Sequence, residues 1–292
     1  MKIPDVQFKS KTSELTGIEI FELNQLYKRQ SSLSHDPSSP HRVEFNGLLY
    51  ITSGTANHFI DFNYHPINAG SFIFIQKNQV QAFDFVNRPQ GFVILFTDEF
   101  FADIQTRIRL PAIMPNNLTS LYNPVVNVEN QLKASCESLL LEITVAQNNN
   151  ESDDLLIQLL FSALLLQVMR KIPQAQSKNL SDSRSKKFQD FVRLIEDKDV
   201  TSREAADYAS LLNMTYKSLN QICKLASNKT AKQLIDFEAI LEAKRKLAVE
   251  NIQVQALAYE LGFDEVTNFV KYFKRHTALT PSQFKASLKQ TS

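Results

Sequence analysis

From Leu261 to Lys285 the chain reads LGFDEVTNFVKYFKRHTALTPSQFK, and this stretch leaves few folds open. Val266, Phe269, Val270 and Phe273 recur at i, i+3, i+4 and i+7, the spacing that gathers one apolar stripe on a helix. Thr267, Asn268, Lys271, Lys274 and Arg275 recur at helical spacing on the other side. Gly262 is placed to end the preceding helix, because glycine takes the left-handed conformation there without a Cβ clash, and Asp264 can cap the next one. Upstream, Val254, Leu257, Ala258 and Leu261 form a second stripe, with the small Ala258 where two crossing helices approach. Downstream, Thr280-Pro281-Ser282-Gln283 reads as a helix start with a capping box and Pro at the first helical position. Helix, tight turn, helix is the arrangement whose second helix enters the major groove of DNA. A charged helix face is more often simply solvated, so the assignment needs support from the rest of the chain.

Gly262-Phe263, then Phe269, Phe273-Lys274-Arg275, then Thr280-Pro281 and Phe284 resemble, in order, the signature of the AraC/XylS family of bacterial transcription regulators. That family carries two helix-turn-helix units joined by a helix, which implies an earlier copy. Thr201-Ser202-Arg203-Glu204 reads as a capping-box start, with Ala205, Ala206, Ala209 and Leu212 lining the helix that follows. After the turn Asn213-Met214, Thr215 can cap a helix whose buried face is Leu219, Ile222, Cys223 and Ala226, leaving Lys217, Ser218, Gln221 and Lys224 outward. Phe188, Phe191, Val192 and Ile195 give a supporting helix before it. Between the copies, Lys232–Val249 is a helical run with no recognisable cap, about 27 Å long at 1.5 Å per residue. It suits a strut holding two reading helices one DNA turn, about 34 Å, apart.

The first copy departs from the family pattern. Gln221 and Cys223 stand where Arg and Phe are usual, and Asn228 replaces a helix-ending glycine, though Asn also tolerates the left-handed turn. In the second copy Lys271 stands for the usual Arg, so it can approach a guanine or a phosphate without bidentate geometry. The resemblance implies double-stranded DNA as a partner, with Lys271, Thr267, Asn268 and Lys217 as base readers and Lys274 and Arg275 on phosphates. Ser218, Gln221 and Lys224 complete the first unit's exposed face.

Charge is distributed to match. Residues 1–170 carry 12 Lys and Arg against 17 Asp and Glu, a net of −5, whereas residues 171–292 carry 20 against 14, a net of +6. The basic half supplies sequence-independent phosphate attraction. Lys171–Ser185, KIPQAQSKNLSDSRS, has few apolar residues and reads as a linker. Cys136 and Cys223 show neither disulfide nor metal spacing and fit a reducing cytosol. Met1–Gln7 offers no apolar signal core, so a cytoplasmic protein is expected. Leu155–Met169, LLIQLLFSALLLQVM, is shorter than the ~20 residues a bilayer needs and is interrupted by Gln158, Ser162 and Gln167, so no membrane partner is expected. With Val128–Ala146, where Val128, Leu132, Cys136, Leu139 and Ile143 share a face, it makes an antiparallel helix pair and predicts a homodimer.

The first part of the chain has a strand rhythm. Ile18–Leu23, Leu48–Thr52, His58–Tyr64, Ser71–Ile75, Val80–Val86 and Phe92–Phe96 are separated by turn groups such as Ser53-Gly54, Pro66–Gly70 and Arg88–Gly91. Short strands at such spacing predict a barrel or jelly roll. The stretch from Pro40-His41-Arg42 through Gly54, His58, Asp61 and Gly70 to Phe100 resembles the cupin-like effector domain that precedes the AraC-type DNA-binding domain. The expected fold is therefore α+β, with a cupin-like β-barrel over 1–125, a helical dimerisation segment over 126–172, a linker over 173–185 and a double helix-turn-helix domain over 186–289.

His41, Arg42 and Glu44 are the effector-binding candidates. Alternation puts Arg42 and Glu44 on one face and His41 and Val43 on the other. An inward Arg42 would favour an anionic effector and an inward His41 a neutral, hydroxylated one; Val43 and Phe45 continue an apolar lining on the His41 face, which favours His41. A metal cupin needs several convergent nitrogen and oxygen ligands. Here His41-Arg42-Val43-Glu44 holds one histidine, Gln81 stands where another could have been, and a turn-bound stretch separates His58 from His65. No metal, cofactor or catalytic residue is expected. A second reading, an enzyme such as a metal cupin or a DNA repair alkyl acceptor with an AraC-like tail, needs an accessible thiol in a basic setting, whereas both cysteines lie on apolar helical stripes. The preferred reading is a one-component transcription regulator, with RNA polymerase as a further partner if it activates.

Overall fold

The computed structural model describes residues 3–8, 17–108, 124–148, 153–171, 181–197, 202–250 and 252–288. The chain divides at residues 173 and 174 into two compact units.

The first unit is built on two five-stranded sheets. One contains β1 (Asp5–Val6), β3 (His41–Val43), β8 (Val80–Ala82), β5 (Thr55–Ile60) and β6 (Asn63–Asn68), in that order. The other contains β10 (Val125–Asn127), β7 (Ser71–Ile75), β4 (Asn46–Ser53), β9 (Gln90–Phe96) and β2 (Ile18–Glu22). Among the described residues the sheets are not closed on each other, so in place of the expected barrel there is a two-sheet sandwich. Val43, Ala56, Ile60 and Ile67 from the first sheet meet Leu49, Ile51, Ile73, Ile75 and Val93 from the second in one core, which Leu23 of α1 (Leu23–Arg29) joins. Leu48, Tyr50, Phe72, Phe74, Ile94 and Phe96 point out of the other face of the second sheet, where α2 (Asp98–Ile108), α3 (Asn130–Asn148) and α4 (Asp154–Met169) cover them. Burial on both faces is why LLYI, FIFI and FVILF run apolar without alternation.

Several expected boundaries move. His58–Tyr64 is not one strand: Asp61 and Phe62 take φ of 44° and 71° and form the two-residue turn of the β5–β6 hairpin, as a primed turn requires. Asp61 holds the turn in place by accepting from Gln79 Nε2 at 2.9 Å and Val80 N–H at 3.1 Å. An aromatic at a position that usually takes Gly hid the turn. Pro66–Asn68 belongs to β6 rather than to a turn, and β8 ends at Ala82 rather than Val86. Gly70 takes φ of +90°, and a Cβ there would meet the Val128 carbonyl oxygen at 2.5 Å. The boundary placed at 125 cuts β10, which pairs with β7, and α3 begins at Asn130 rather than Val128. The buried positions of α3 are Cys136, Leu140, Ile143 and Ala146, with Leu132 and Leu139 only partly buried.

The second unit is helical, with α5 (Asp182–Glu196), α6 (Ala205–Leu211), α7 (Tyr216–Ser227), α8 (Ala231–Val249), α9 (Val254–Glu260), α10 (Val266–Thr277) and α11 (Pro281–Ser287). Helix α5 begins inside the segment expected to be linker, whose polar Ser and Lys residues concealed it; residues 172–180 lie outside the described residues. Helix α8 is not capless: Thr230 and Gln233 form a full capping box. The sequence places a capping box at Thr201 to Glu204. Thr201 lies outside the described residues, and the N-cap of α6 is Glu204, with no side-chain cap bond. Ala206 is exposed and Tyr208 buried in its place, closing edge-on against Phe191.

Candidate nucleic-acid interface

Helices α6 and α7, and again α9 and α10, form two helix-turn-helix units with the same backbone. Asn213 and Gly262 take left-handed φ of 52° and 73° in the two turns. The next N–H reaches back to a buried alanine in each, Met214 to the Ala209 carbonyl and Phe263 to the Ala258 carbonyl, both at 2.9 Å. Asn228 and Ala278 end the second helices in the left-handed conformation, at φ of 57° and 63°. Thr230 and Thr280 then open the next helices with capping boxes. Asn228 and Thr215 act as expected, the latter accepting from the Ser218 N–H at 3.1 Å. Asp264 does not cap α10. Glu265 holds that position, and its carboxylate accepts from the Thr267 hydroxyl at 3.1 Å.

Burial under α7 falls to Leu219, Ile222, Cys223 and Ser227, with Ala226 only partly buried. Under α10 it falls to Phe269, Tyr272 and Phe273, whereas Val266 and Val270 are half-buried. Tyr272 can be buried because its hydroxyl donates to Asp236 Oδ1 at 2.9 Å. Burial, and next the Asp236 charge, push its pKa up. All nine residues expected to meet DNA are exposed: Lys217, Ser218, Gln221 and Lys224 on α7, and Thr267, Asn268, Lys271, Lys274 and Arg275 on α10. Residues at i, i+3, i+4 and i+7 share one side of a helix, so Lys217, Gln221 and Lys224 form one row and Asn268, Lys271 and Arg275 another. One functional candidate escaped the sequence. Arg203, read there as part of a cap, lines a concavity of about 310 Å³ together with Phe263, Asn268, Lys271, Tyr272 and Arg275.

In the first unit the three effector candidates separate. His41 is 2 % exposed and faces the interior of the sandwich with Val43. Arg42 and Glu44 face away, and Arg42 donates to Asp5 Oδ1 at 2.6 Å. Alternation in β3 allows only one pair inside, and the apolar company of Val43 decides it. The β5–β6 hairpin sets His58 and His65 opposite each other in register. Around them, His58 Nε2–H donates to Gln81 Oε1 at 3.1 Å, His41 Nδ1–H donates to the Ser39 carbonyl at 3.0 Å, and the His35 ring lies 4.8 Å from that of His41. Burial pushes the pKa of His41 down to about 4 and that of His58 down to about 3, so both rings are neutral at pH 7. Among the described residues no group of three or more His, Cys, Asp or Glu is placed to hold a metal ion. Burial raises the thiols of Cys136 and Cys223 to about 11 and about 12, far from the thiolate that an alkyl acceptor needs.

Residues 28–165 match the AraC-like ligand binding domain, and residues 208–287 match a helix-turn-helix domain. The chain belongs to the AraC family. Its regulators elsewhere include the transcriptional activator RhaR of Mannheimia succiniciproducens, 22 % identical over 86 % of this chain and 89 % of that protein. The raffinose operon regulatory protein RafR of Pediococcus pentosaceus is 24 % identical over 65 % of this chain and 68 % of that one. A crystal structure of fatty-acid-bound ToxT from Vibrio cholerae aligns at 15 % identity and a TM-score of 0.43, covering 92 % of this chain and 94 % of that one, and the assignment does not rest on it. This AraC-family chain is a DNA-binding transcription regulator, with a ligand-binding domain ahead of its helix-turn-helix domain. Among its described residues no helix is long and apolar enough to cross a membrane.

Proposed function

We propose that the chain is a one-component cytoplasmic switch in which α7 and α10 read two successive major grooves and an effector in the sandwich interior sets their action. The observation that carries the reading is the repeated backbone of the two units, which exposes the row Lys217, Gln221, Lys224 and the row Asn268, Lys271, Arg275. Helix α8, 19 residues long and so about 28 Å, connects them at a length close to one turn of DNA. Lys271 is the principal base reader, Thr267, Asn268 and Lys217 assist it, and Lys274 and Arg275 hold phosphates. RNA polymerase is a further partner if the regulator activates.

Selection of duplexes from a random pool by the full-length protein tests this. A selected site should be bound with an affinity that falls steeply with salt. Lys271→Ala should weaken binding to that site by about 1 to 3 kcal/mol, and relax the sequence preference under α10. Unchanged operator affinity in a folded Lys271→Ala protein would remove Lys271 from the reading face.

The effector reading is a small, uncharged, hydroxylated molecule. His41, His58 and Gln81 offer neutral donors and acceptors on an apolar interior face, and neither Arg42 nor Glu44 points there to favour an ion. The homodimer reading is carried by α3 and α4. Leu141 and Val145 are each 57 % exposed on α3, and Leu155 is 53 % exposed on α4, with Leu156 and Leu159 also exposed beside it. Covering such a face against a second copy removes it from water. Leu155→Glu combined with Leu159→Glu should convert a dimer to a monomer at micromolar concentration in sedimentation, with the fold retained. A wild-type chain that sediments as a monomer under the same conditions would dispose of the dimer.

A further inference from the structure

The second reading helix is flanked by a residue of the first helix-turn-helix, within the same helical unit. Arg203 lies in the extended segment before α6, and its guanidinium is stacked on the ring of Phe263, with Cζ 3.5 Å from the ring centroid. Its Nη2 donates to the Gly262 carbonyl at 3.0 Å. Its own carbonyl accepts from Lys232 Nζ at 2.8 Å. Backbone and side chain are therefore both tied down. The stack occupies one face of the guanidinium, while the remaining N–H groups radiate in its plane and stay able to donate.

The concavity that Arg203 shares with Asn268, Lys271 and Arg275 carries three cations, one amide, and no carboxylate in its lining. Among the described residues none of these three cations is paired with an acid. The neighbouring acid, Asp236, lies behind Tyr272, where it accepts from the tyrosine hydroxyl and from Lys232 Nζ, each at 2.9 Å. Its charge is thus spent away from the concavity. Three like charges held around one hollow repel each other until an anion enters. The hollow opens on the exposed side of α10, along the row Asn268, Lys271, Arg275, where the helix would face the groove.

We infer that this hollow seats one backbone phosphate of bound DNA between Arg203 and Arg275, so that a residue of the first helix-turn-helix anchors the reading helix of the second. The inference rests on the DNA-binding reading above. A planar, rigidly held guanidinium suits two oxygens of one phosphate. Arg203 carries no base specificity in this role, because a phosphate contact positions the helix and does not read sequence.

The test uses the full-length protein and a duplex that it selects from a random pool. Arg203→Met keeps an apolar stem over Phe263 and removes the charge. It should bind both the selected and an unrelated duplex about ten-fold more weakly, with the slope of log affinity against log salt reduced by about 1. Ethylating the seated phosphate should block the wild type at that position, and the same position should cease to matter in Arg203→Met and in Arg275→Gln. Arg275 is exposed on α10, and its contacts with the Tyr272 ring and His276 Nε2 lie at the surface, so Arg275→Gln keeps the buried core intact and the test decisive if Arg203→Met folds poorly. Interference at different phosphates for the two variants, or wild-type affinity and salt slope in folded Arg203→Met, overturns the shared seat. A wild type that binds no duplex at all instead removes the DNA-binding reading itself.

Discussion

Replacing Phe273 by alanine should unfold the second helix-turn-helix unit. The ring is fully buried and sits at the centre of an aromatic chain, edge-on to Phe269 and to Phe284, each with centroids 5.8 Å away, while Phe269 in turn closes on Phe263 at 5.3 Å. Removing it leaves a cavity between α10 and α11 that only backbone movement can fill. A buried Phe→Ala change costs about 3 to 5 kcal/mol, against a typical domain stability of roughly 5 to 15 kcal/mol, and Phe269→Ala should behave alike. Cys223 holds the equivalent place in the first unit, and Cys223→Ala should cost much less, because it removes a single sulfur atom. Thermal unfolding followed by circular dichroism reads the difference. Equal melting temperatures for wild type and Phe273→Ala would show that the aromatic chain does not hold the unit together.

Mild acid should destabilise the strand-built unit through its buried histidines. The pKa of His41 is held down to about 4, and that of His58 to about 3, both by burial, while an unfolded histidine titrates near 6.5. Between those values the unfolded chain binds protons that the folded one refuses. Stability is therefore complete above about pH 6.5 and falls as pH drops towards the folded values, by about 1.4 kcal/mol per pH unit for each buried ring. His41 alone removes about 3 kcal/mol by pH 4 on this reckoning. His35 and His65, in the same unit, are shifted downward by burial as well and act in the same direction. Urea unfolding at pH 7, 6, 5 and 4.5 measures the slope, and His41→Gln should flatten it. A stability that is level across this range would mean that the rings are hydrated in the folded state.

Much of the DNA-binding unit was legible because it is written in local rules. A stripe at i, i+3 and i+4 marks which side of a short helix is buried, and so which side is left for a partner. Hence the exposure of Lys217, Lys271 and their neighbours followed from spacing. The left-handed turns at Gly262 and Asn228 and the cap at Thr280 are also local. Tyr272 is the exception that shows the limit. The stripe read from spacing, Val266, Phe269, Val270 and Phe273, left it out, because a phenol is buried only where something accepts its proton, and Asp236 comes from 36 residues away.

The sequence by itself determined that a strand-built unit precedes two similar helical units, where the two reading helices lie, and which face of each stays outside. Alternation also narrowed β3 to two choices, His41 inward or Arg42 inward. Only the tertiary structure decided the rest. Whether ten short strands close into a barrel or stay as two sheets depends on pairings between distant segments, and a turn at Asp61-Phe62 with no glycine gave no local signal. The same hairpin brings His65 opposite His58. Arg203 reads as a cap in sequence and becomes a wall of the second unit's hollow only when Phe263 arrives beneath it. The physical reason is common to all of these. Periodicity records how each segment is buried, whereas the identity of what lies against it is set by chain-distant contacts that no local pattern encodes.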